Sequence, residues 1–201
     1  MGDMDISGEK REQIIRAAMK NFSKNGYRKT VMDEIVADAG VSKGLVFHYF
    51  GSKKALYLYL YEYAYGVVYH RVTAAFDTAK PDLFERIRQM EEIKLEILKE
   101  HPYVLDFLAS VHREKDGRLL EEIEQKKLAR FPDWTGAFLA GVDVSRLREW
   151  VPPEKLINLI RWCTNGVLEG HKDAFVLEEV IAEMDGYLEL MRSAFYKEEF
   201  L

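Results

Sequence analysis

Cysteine is almost missing from this sequence, and so are long apolar runs. Cys163 is the single cysteine among 201 residues, so no disulfide can form within the chain and a reducing compartment is expected. No apolar run approaches the roughly 20 residues that a membrane-spanning helix needs. The N-terminus mixes acidic and basic residues and lacks the hydrophobic core of a signal peptide. We therefore expect a cytoplasmic protein that does not associate with a membrane.

Several motifs that carry catalysis are absent as well. The sequence has no P-loop, dinucleotide fingerprint or H-E-x-x-H. Its histidines are scattered, and His112 and Glu114 do not have the spacing of metal ligands on a helix. Cys163 lies within an apolar stripe, which is typical of an inert core thiol. We therefore expect no enzyme, no cofactor and no metal site.

The charge is unevenly distributed along the chain. Hydrophobic residues make up 48% and charged residues 31% of the sequence, which is enough apolar material to fill a core. The net charge of −5 divides into +3 for residues 1–54 (ten Lys/Arg, seven Asp/Glu) and −8 for the remainder (nineteen against twenty-seven). The charge that phosphate attracts is therefore concentrated at the N-terminus, ahead of an acidic body.

Helical spacing of apolar residues dominates the whole chain and predicts an all-α fold. Alternating tyrosines at 57–65 are typical of a strand instead, but no proline, turn or partner strand is nearby, so we expect a helix there too. Capping residues, glycines and prolines then set the boundaries. The predicted helices span 9–24, 31–39, 43–50, 53–78, 82–99, 102–113, 116–131, 136–150, 154–170 and 177–198.

The most informative stretch is residues 30–53, where two short helices are joined by a tight turn. Thr30 and Asp33 have the spacing of a capping box, so a helix should begin near Val31. Gly40 allows the left-handed backbone that ends this helix, and Ser42 can cap the next. Such a unit, with a small, polar and cationic second helix, is typical of proteins that enter the DNA major groove.

The residues of this N-terminal third resemble those of the TetR (tetracycline-repressor type) family of bacterial transcriptional regulators. The resemblance covers about residues 10–57, and its specific positions are Gly26-Tyr27, Thr30, Ile35, the run from Ala39 to Gly44, His48-Tyr49-Phe50 and Ser52-Lys53. Three positions depart from the family pattern, because Val31, Leu45 and Phe47 stand where hydroxyl-bearing residues are common. The remaining two thirds of the chain match only in length and helical character.

The resemblance implies a ligand-responsive repressor that acts as a homodimer on a palindromic DNA operator. Residues 1–54 would form a three-helix helix-turn-helix domain, and residues 55–201 a helical domain for effector binding and dimerisation. A small, largely apolar effector would release the DNA by changing the separation of the two reading helices. The alternative is a helical DNA-associated interaction protein without a small-molecule effector.

The resemblance and the residue chemistry together give three sets of candidate site residues. Those expected to contact DNA are Arg28, Thr30, Ser42, Lys43, Gly44, Phe47, His48, Tyr49 and Lys53. Those expected to line an effector pocket are Tyr63, Tyr103, Phe107, Trp134 and Trp162. Those expected in the dimer interface are Leu159, Cys163, Gly166, Val167, Met184, Tyr187 and Met191.

Overall fold

The computed structural model describes residues 8–130, 134–171 and 177–201, and within these ranges the side chains of 127–130, 134, 135, 137, 177 and 178 are left undescribed. The described chain is helical, which confirms the predicted all-α fold. Its α-helices are α1 Gly8–Lys29, α2 Met32–Ala39, α3 Lys43–Phe50, α4 Lys53–Ala75, α5 Leu83–Glu100, α6 Val104–Val111, α7 Gly117–Arg130, α8 Trp134–Leu139, α9 Pro153–Gly170 and α10 Leu177–Phe195. A short 3-10 helix, Val144–Arg146, precedes α9.

One predicted boundary is confirmed and one differs from the structure. The helical backbone of α1 is interrupted at Gly26, where φ is 73° and ψ is 170°, as predicted, and a short helical segment follows to Lys29. The segment predicted as one helix over 136–150 contains α8, a turn at Gly141 and the 3-10 helix. The tyrosine-rich segment is helical as predicted, with Tyr57 and Tyr61 buried.

Contacts divide the chain into two compact units. The first comprises Met1–Ala74 and Glu96–Pro132, and the second comprises Ala75–Leu95 and Asp133–Leu201. The predicted domain boundary at residue 54 falls inside the first unit, beside the start of α4. The division into a DNA-binding and an effector-binding domain therefore stays a prediction about function.

The core of the first unit is aliphatic at α1 and aromatic where α4 meets α6. Ile14, Ala18 and Phe22 of α1 are fully buried at the predicted four-residue spacing. The Phe22 ring meets Tyr57 edge-on at 4.9 Å, and Tyr57 meets Phe107 at 5.2 Å. These contacts fix α1 on α4 and α6, so α1 is the frame on which the following two short helices rest.

The second unit contains a fully buried arginine with no carboxylate partner among the described residues. Arg86 of α5 donates hydrogen bonds only to backbone carbonyls. The acceptors are the carbonyl oxygens of Thr78, Lys80, Phe138 and Ala140. Arg86 therefore ties the connection before α5 to the end of α8, and it supplies a donor to the buried Phe138 carbonyl and to three partly buried ones.

Candidate nucleic-acid interface and ligand cleft

The turn between α2 and α3 has the geometry that the sequence predicts. Gly40 adopts the left-handed conformation with φ 64° and ψ 31°, which costs a residue with a side chain more than glycine. The Ser42 hydroxyl accepts a hydrogen bond from the Leu45 N–H at 3.2 Å and so caps α3. Ile35 of α2 and Val46 of α3 are fully buried. These anchors leave the opposite face of α3 directed to solvent.

The exposed face of α3 carries both charge and aromatic surface. Lys43, Gly44, Phe47, His48 and Tyr49 are all exposed, as predicted. The rings of His48 and Tyr49 meet edge-on at 5.4 Å. A short, well-anchored helix with an exposed cation, imidazole and phenol offers donors to phosphates and base edges.

Thr30 differs from its prediction. The residue that precedes α2 is Val31, and no side chain caps this helix. The Thr30 side chain is only 2% exposed, and its hydroxyl donates to the carbonyl oxygens of Gly26 at 2.7 Å and Asn21 at 3.2 Å. The predicted capping box is therefore wrong. The hydroxyl closes the kinked end of α1 and is not presented to a phosphate, so Thr30 leaves the set of DNA contacts.

Lys53 and Arg28 lie together where α1 ends and α4 begins. The Lys53 ammonium donates to the Arg28 carbonyl at 3.2 Å and lies 4.8 Å from the centre of the Tyr27 ring. Burial at this position lowers the pKa of Lys53. The Ser52 hydroxyl caps α4 by accepting from the Ala55 N–H at 3.1 Å. Lys53 thus holds the frame of the helix-turn-helix, while the Arg28 side chain is exposed.

One ion pair at this surface was not predicted from the sequence. The Lys43 Nζ lies 2.7 Å from Asp33 Oδ1 and joins the first turn of α3 to the first turn of α2. Sequence reasoning assigned Asp33 to a capping box with Thr30, which left no reason to pair it with Lys43. The two residues are ten positions apart, so no spacing rule within a single helix links them.

A cleft in the first unit brings together two of the predicted effector residues. Its volume is about 320 Å³. The residues that line it include Ile15, Arg16, Met19, Tyr63, His101 and Tyr103. The Arg16 guanidinium lies 5.9 Å from the centre of the Tyr103 ring, and the His101 ring is 6.4 Å from Tyr63. Burial and nearby Glu12 raise the pKa of Tyr63, so its phenol is neutral near pH 7.

Two other predicted effector residues, Phe107 and Trp162, do not line this cleft. Phe107 is fully buried in the aromatic core between Tyr57 and Phe22, so it fills space that a ligand would need. Trp162 is 67% exposed on the surface of α9. The side chain of Trp134 lies outside the described residues. Of the described candidates, Tyr63 and Tyr103 therefore lie in this cleft and Phe107 and Trp162 do not, while Trp134 stays a prediction.

The last two helices each have a buried and an exposed apolar side. Val167 and Met184 pack with Leu95 and Val180 inside the second unit, so the predicted place of Met184 in a dimer interface is wrong. Val167 also lines a surface groove together with Trp162 and Tyr187, and its place in the interface stays a prediction. Leu159, Trp162, Gly166, Tyr187 and Leu190 are exposed, while Cys163 and Met191 are half-buried. A groove of about 410 Å³ runs beside Trp162, Gly166 and Tyr187. Its floor includes Cys163, whose pKa is raised by burial.

The described residues offer neither a cluster of metal ligands nor a membrane-spanning helix. No group of three or more His, Cys, Asp or Glu side chains in the described ranges is placed to hold a metal ion. Among the same residues, no helix combines the length and the apolar character needed to cross a bilayer.

Comparisons with known proteins agree with the helix-turn-helix geometry. Residues 14–60 match the model of the family described as bacterial regulatory proteins, tetR family. The chain is 32% identical over 117 residues to YuxN, an HTH-type transcriptional regulator of Bacillus subtilis, covering 58% of this chain and 39% of that protein. It is 27% identical over 156 residues to the HTH-type transcriptional regulator RutR of Escherichia coli, covering 75% of this chain and 70% of RutR.

Solved structures share the fold over nearly the whole chain. The complex of SmeT with triclosan has a TM-score of 0.60 at 21% identity and covers 94% of this chain and 92% of SmeT, the efflux-pump repressor of Stenotrophomonas maltophilia. FadR of Bacillus subtilis with stearoyl-CoA has a TM-score of 0.60 at 19% identity, covering 91% and 98%. At these identities the likeness shows the fold alone. In the first curated relatives, by contrast, the chain spans 20 to 39% of each protein.

Proposed function

Because this chain belongs to the TetR family of bacterial transcriptional regulators, we propose that it is a homodimeric repressor that binds a palindromic operator and is released by a small molecule. The family consists of DNA-binding regulators and not enzymes, which confirms the prediction that the chain has no catalytic role. The observation that carries the proposal is the exposed polar face of α3, held in place by buried Ile35 and Val46.

The proposed reading surface is formed by α3 and the start of α4. Lys43 and His48 would donate to bases or phosphates, and Gly44 would let the backbone approach the DNA closely. Tyr49 would contact a phosphate. Lys53 would do so as well, since an ammonium has three N–H groups and, among the described residues, it donates one hydrogen bond, to the Arg28 carbonyl. Phe47, where a hydroxyl is missing, would contact thymine methyl groups.

The proposed dimer uses the exposed sides of α9 and α10. Large apolar residues at the protein surface are expected where another chain covers them. Those on α9 and α10 are Leu159, Trp162, Ile181, Tyr187 and Leu190. A two-fold pairing of these helices would form a four-helix interface. It would place two reading helices about one turn of DNA apart, roughly 34–36 Å, as successive major grooves require.

The proposed effector site is the cleft beside Tyr63 and Tyr103. Its volume of about 320 Å³ lies at the lower end of the range for small-molecule pockets. Its walls include Ile15, Arg16 and Met19 of α1, so a bound ligand would contact the helix that frames the reading unit. Two proteins of the same fold were solved with triclosan and with stearoyl-CoA, and a largely apolar, aromatic effector fits the tyrosine walls. It would weaken DNA binding by its preference for one position of α1.

A thermal-shift screen with a panel of small aromatic compounds tests the effector site. Compounds that bind the cleft should raise the melting temperature of the wild type and of Tyr69→Ala, a half-buried tyrosine of α4 outside the cleft. They should have no such effect on Tyr103→Ala, and they should release DNA from the wild type. Stabilisation that Tyr103→Ala retains would place the ligand elsewhere. If no compound changes DNA binding, the interaction protein without an effector becomes the better interpretation.

A further inference from the structure

Lys43 occupies an unfavourable position for a cation. It is the first residue of α3, where the positive end of the helix dipole repels positive charge. Its side chain nevertheless lies 2.7 Å from a carboxylate oxygen of Asp33 in the first turn of α2. We propose that Asp33 is an internal competitor for Lys43: it occupies the ammonium in the free protein, and a DNA phosphate must displace it. The inference rests on the proposed DNA-binding function and adds a residue that sets its affinity.

The exposure of the pair makes displacement feasible. The Lys43 and Asp33 side chains are 55% and 67% exposed, so water and salt screen their attraction. An ion pair of this kind changes an equilibrium constant by less than about fivefold. A duplex with many phosphates can therefore displace Asp33 from Lys43. The effect of the ion pair on DNA affinity is still large enough to measure.

Displacement has a consequence for the salt dependence of binding. Each lysine that neutralises a phosphate releases a condensed counterion and contributes a slope of about −0.9 in log K against log salt. When Asp33 is paired with Lys43, part of the free energy gained by counterion release is lost, because the carboxylate takes up a cation from solution once DNA breaks the pair. Removal of the Asp33 charge should therefore strengthen binding and also steepen its dependence on salt.

The neighbouring residue supplies a matched control. Glu34 lies in the same first turn of α2 and is also exposed. In the described part of the chain its carboxylate takes part in no ion pair or hydrogen bond. Asp33→Asn and Glu34→Gln raise the net charge by the same amount and remove the same kind of favourable charge from the N-terminus of α2. Only Asp33→Asn frees Lys43.

The experiment measures the affinity of the full chain for a fluorescein-labelled duplex of random sequence by anisotropy, between about 50 and 200 mM salt. We expect Asp33→Asn to bind about two- to fivefold more tightly than Glu34→Gln and to show a steeper salt slope, by a fraction of the roughly 0.9 that one lysine–phosphate contact contributes per protomer. In a Lys43→Gln background the difference between the two variants should vanish, because the coupling requires the lysine.

Three results would overturn the proposal. Equal gains for Asp33→Asn and Glu34→Gln would mean that only net charge matters. Weaker binding by Asp33→Asn would mean that Asp33 assists the DNA contact. A gain that persists with Lys43→Gln would mean that Asp33 acts on another group. If folded wild type and all variants fail to bind any duplex, the proposed DNA-binding function itself is wrong, a result that differs from the other three.

Discussion

Replacing Thr30 with valine removes one buried hydroxyl and keeps the branched shape of the side chain. The hydroxyl closes the end of α1 by donating to the Gly26 carbonyl at 2.7 Å, with the Asn21 carbonyl 3.2 Å away. The Gly26 carbonyl also accepts from the Thr30 N–H at 3.3 Å, so it is not left without a partner. The expected loss is therefore that of a single neutral hydrogen bond, about 1 kcal/mol in the free energy of unfolding.

This loss predicts a small change in stability and none in DNA affinity. For a chain of this length, about 1 kcal/mol lowers the melting temperature by roughly 2–4 °C. We expect Thr30→Val to melt that much lower by far-UV circular dichroism. Well below its melting temperature it should bind duplex DNA as tightly as the wild type, because the hydroxyl points into the protein and not toward a phosphate.

A hydroxyl that binds DNA would give the opposite pattern. Thr30→Ser keeps the hydroxyl and loses only a methyl group, so it serves as the control for packing. If Thr30→Val melts like the wild type but loses tenfold or more in DNA affinity, while Thr30→Ser retains it, the reasoning is refuted. Thr30 would then be a phosphate ligand, as the sequence first indicated.

Three further predictions follow from the second unit. Arg86→Met should lower the free energy of unfolding by about 1–3 kcal/mol in chemical denaturation, because it leaves the buried Phe138 carbonyl and three partly buried carbonyls without this donor. Burial raises the pKa of Tyr196 to about 12, so the stability that depends on its neutral phenol should be fully present below pH 10 and be lost as the pH rises toward 12. Tyr196→Phe should reduce this loss in alkaline melting curves. Leu190→Glu, at a position 65% exposed on α10, should yield monomers in analytical ultracentrifugation.

Each of these predictions has an outcome that contradicts it. Unchanged denaturation of Arg86→Met would mean that the carbonyls find other donors. If Tyr196→Phe loses stability between pH 10 and 12 as steeply as the wild type, the loss does not come from ionisation of Tyr196. For the dimer, Val144→Glu is the control, since Val144 is an exposed apolar residue outside α9 and α10. Dissociation by this control, or none by Leu190→Glu, would exclude the proposed interface.

Local chemistry made the helix-turn-helix predictable. Gly40 and Ser42 act on backbone groups within a few residues, so their roles could be inferred from sequence alone and are present in the structure. The tyrosine-rich segment was ambiguous by alternation, but its context of about twenty-five residues without a turn favoured a helix correctly. Short-range hydrogen bonding and turn propensity were sufficient in these cases.

Competing local bonds and long-range partners explain what could not be predicted. Thr30 has the spacing of a cap, but its hydroxyl instead donates to the Gly26 carbonyl four residues earlier, with the Asn21 carbonyl also within reach. Helical periodicity identified Val167 and Met184 as apolar, yet it cannot say which apolar side faces the same chain. The pairing of Asp33 with Lys43 depends on how two helices cross. The last two outcomes are set by tertiary geometry and not by spacing along the chain.

Selection of bound sequences from a pool of random duplex DNA tests the central claim most directly. The purified protein and its Lys43→Ala/His48→Ala variant would be compared under conditions where both are folded. The account predicts a palindromic consensus, with half-sites about one helical turn apart, that the wild type enriches and the variant does not. A folded, dimeric wild type that enriches no sequence would contradict it, as would a consensus that the variant selects equally well.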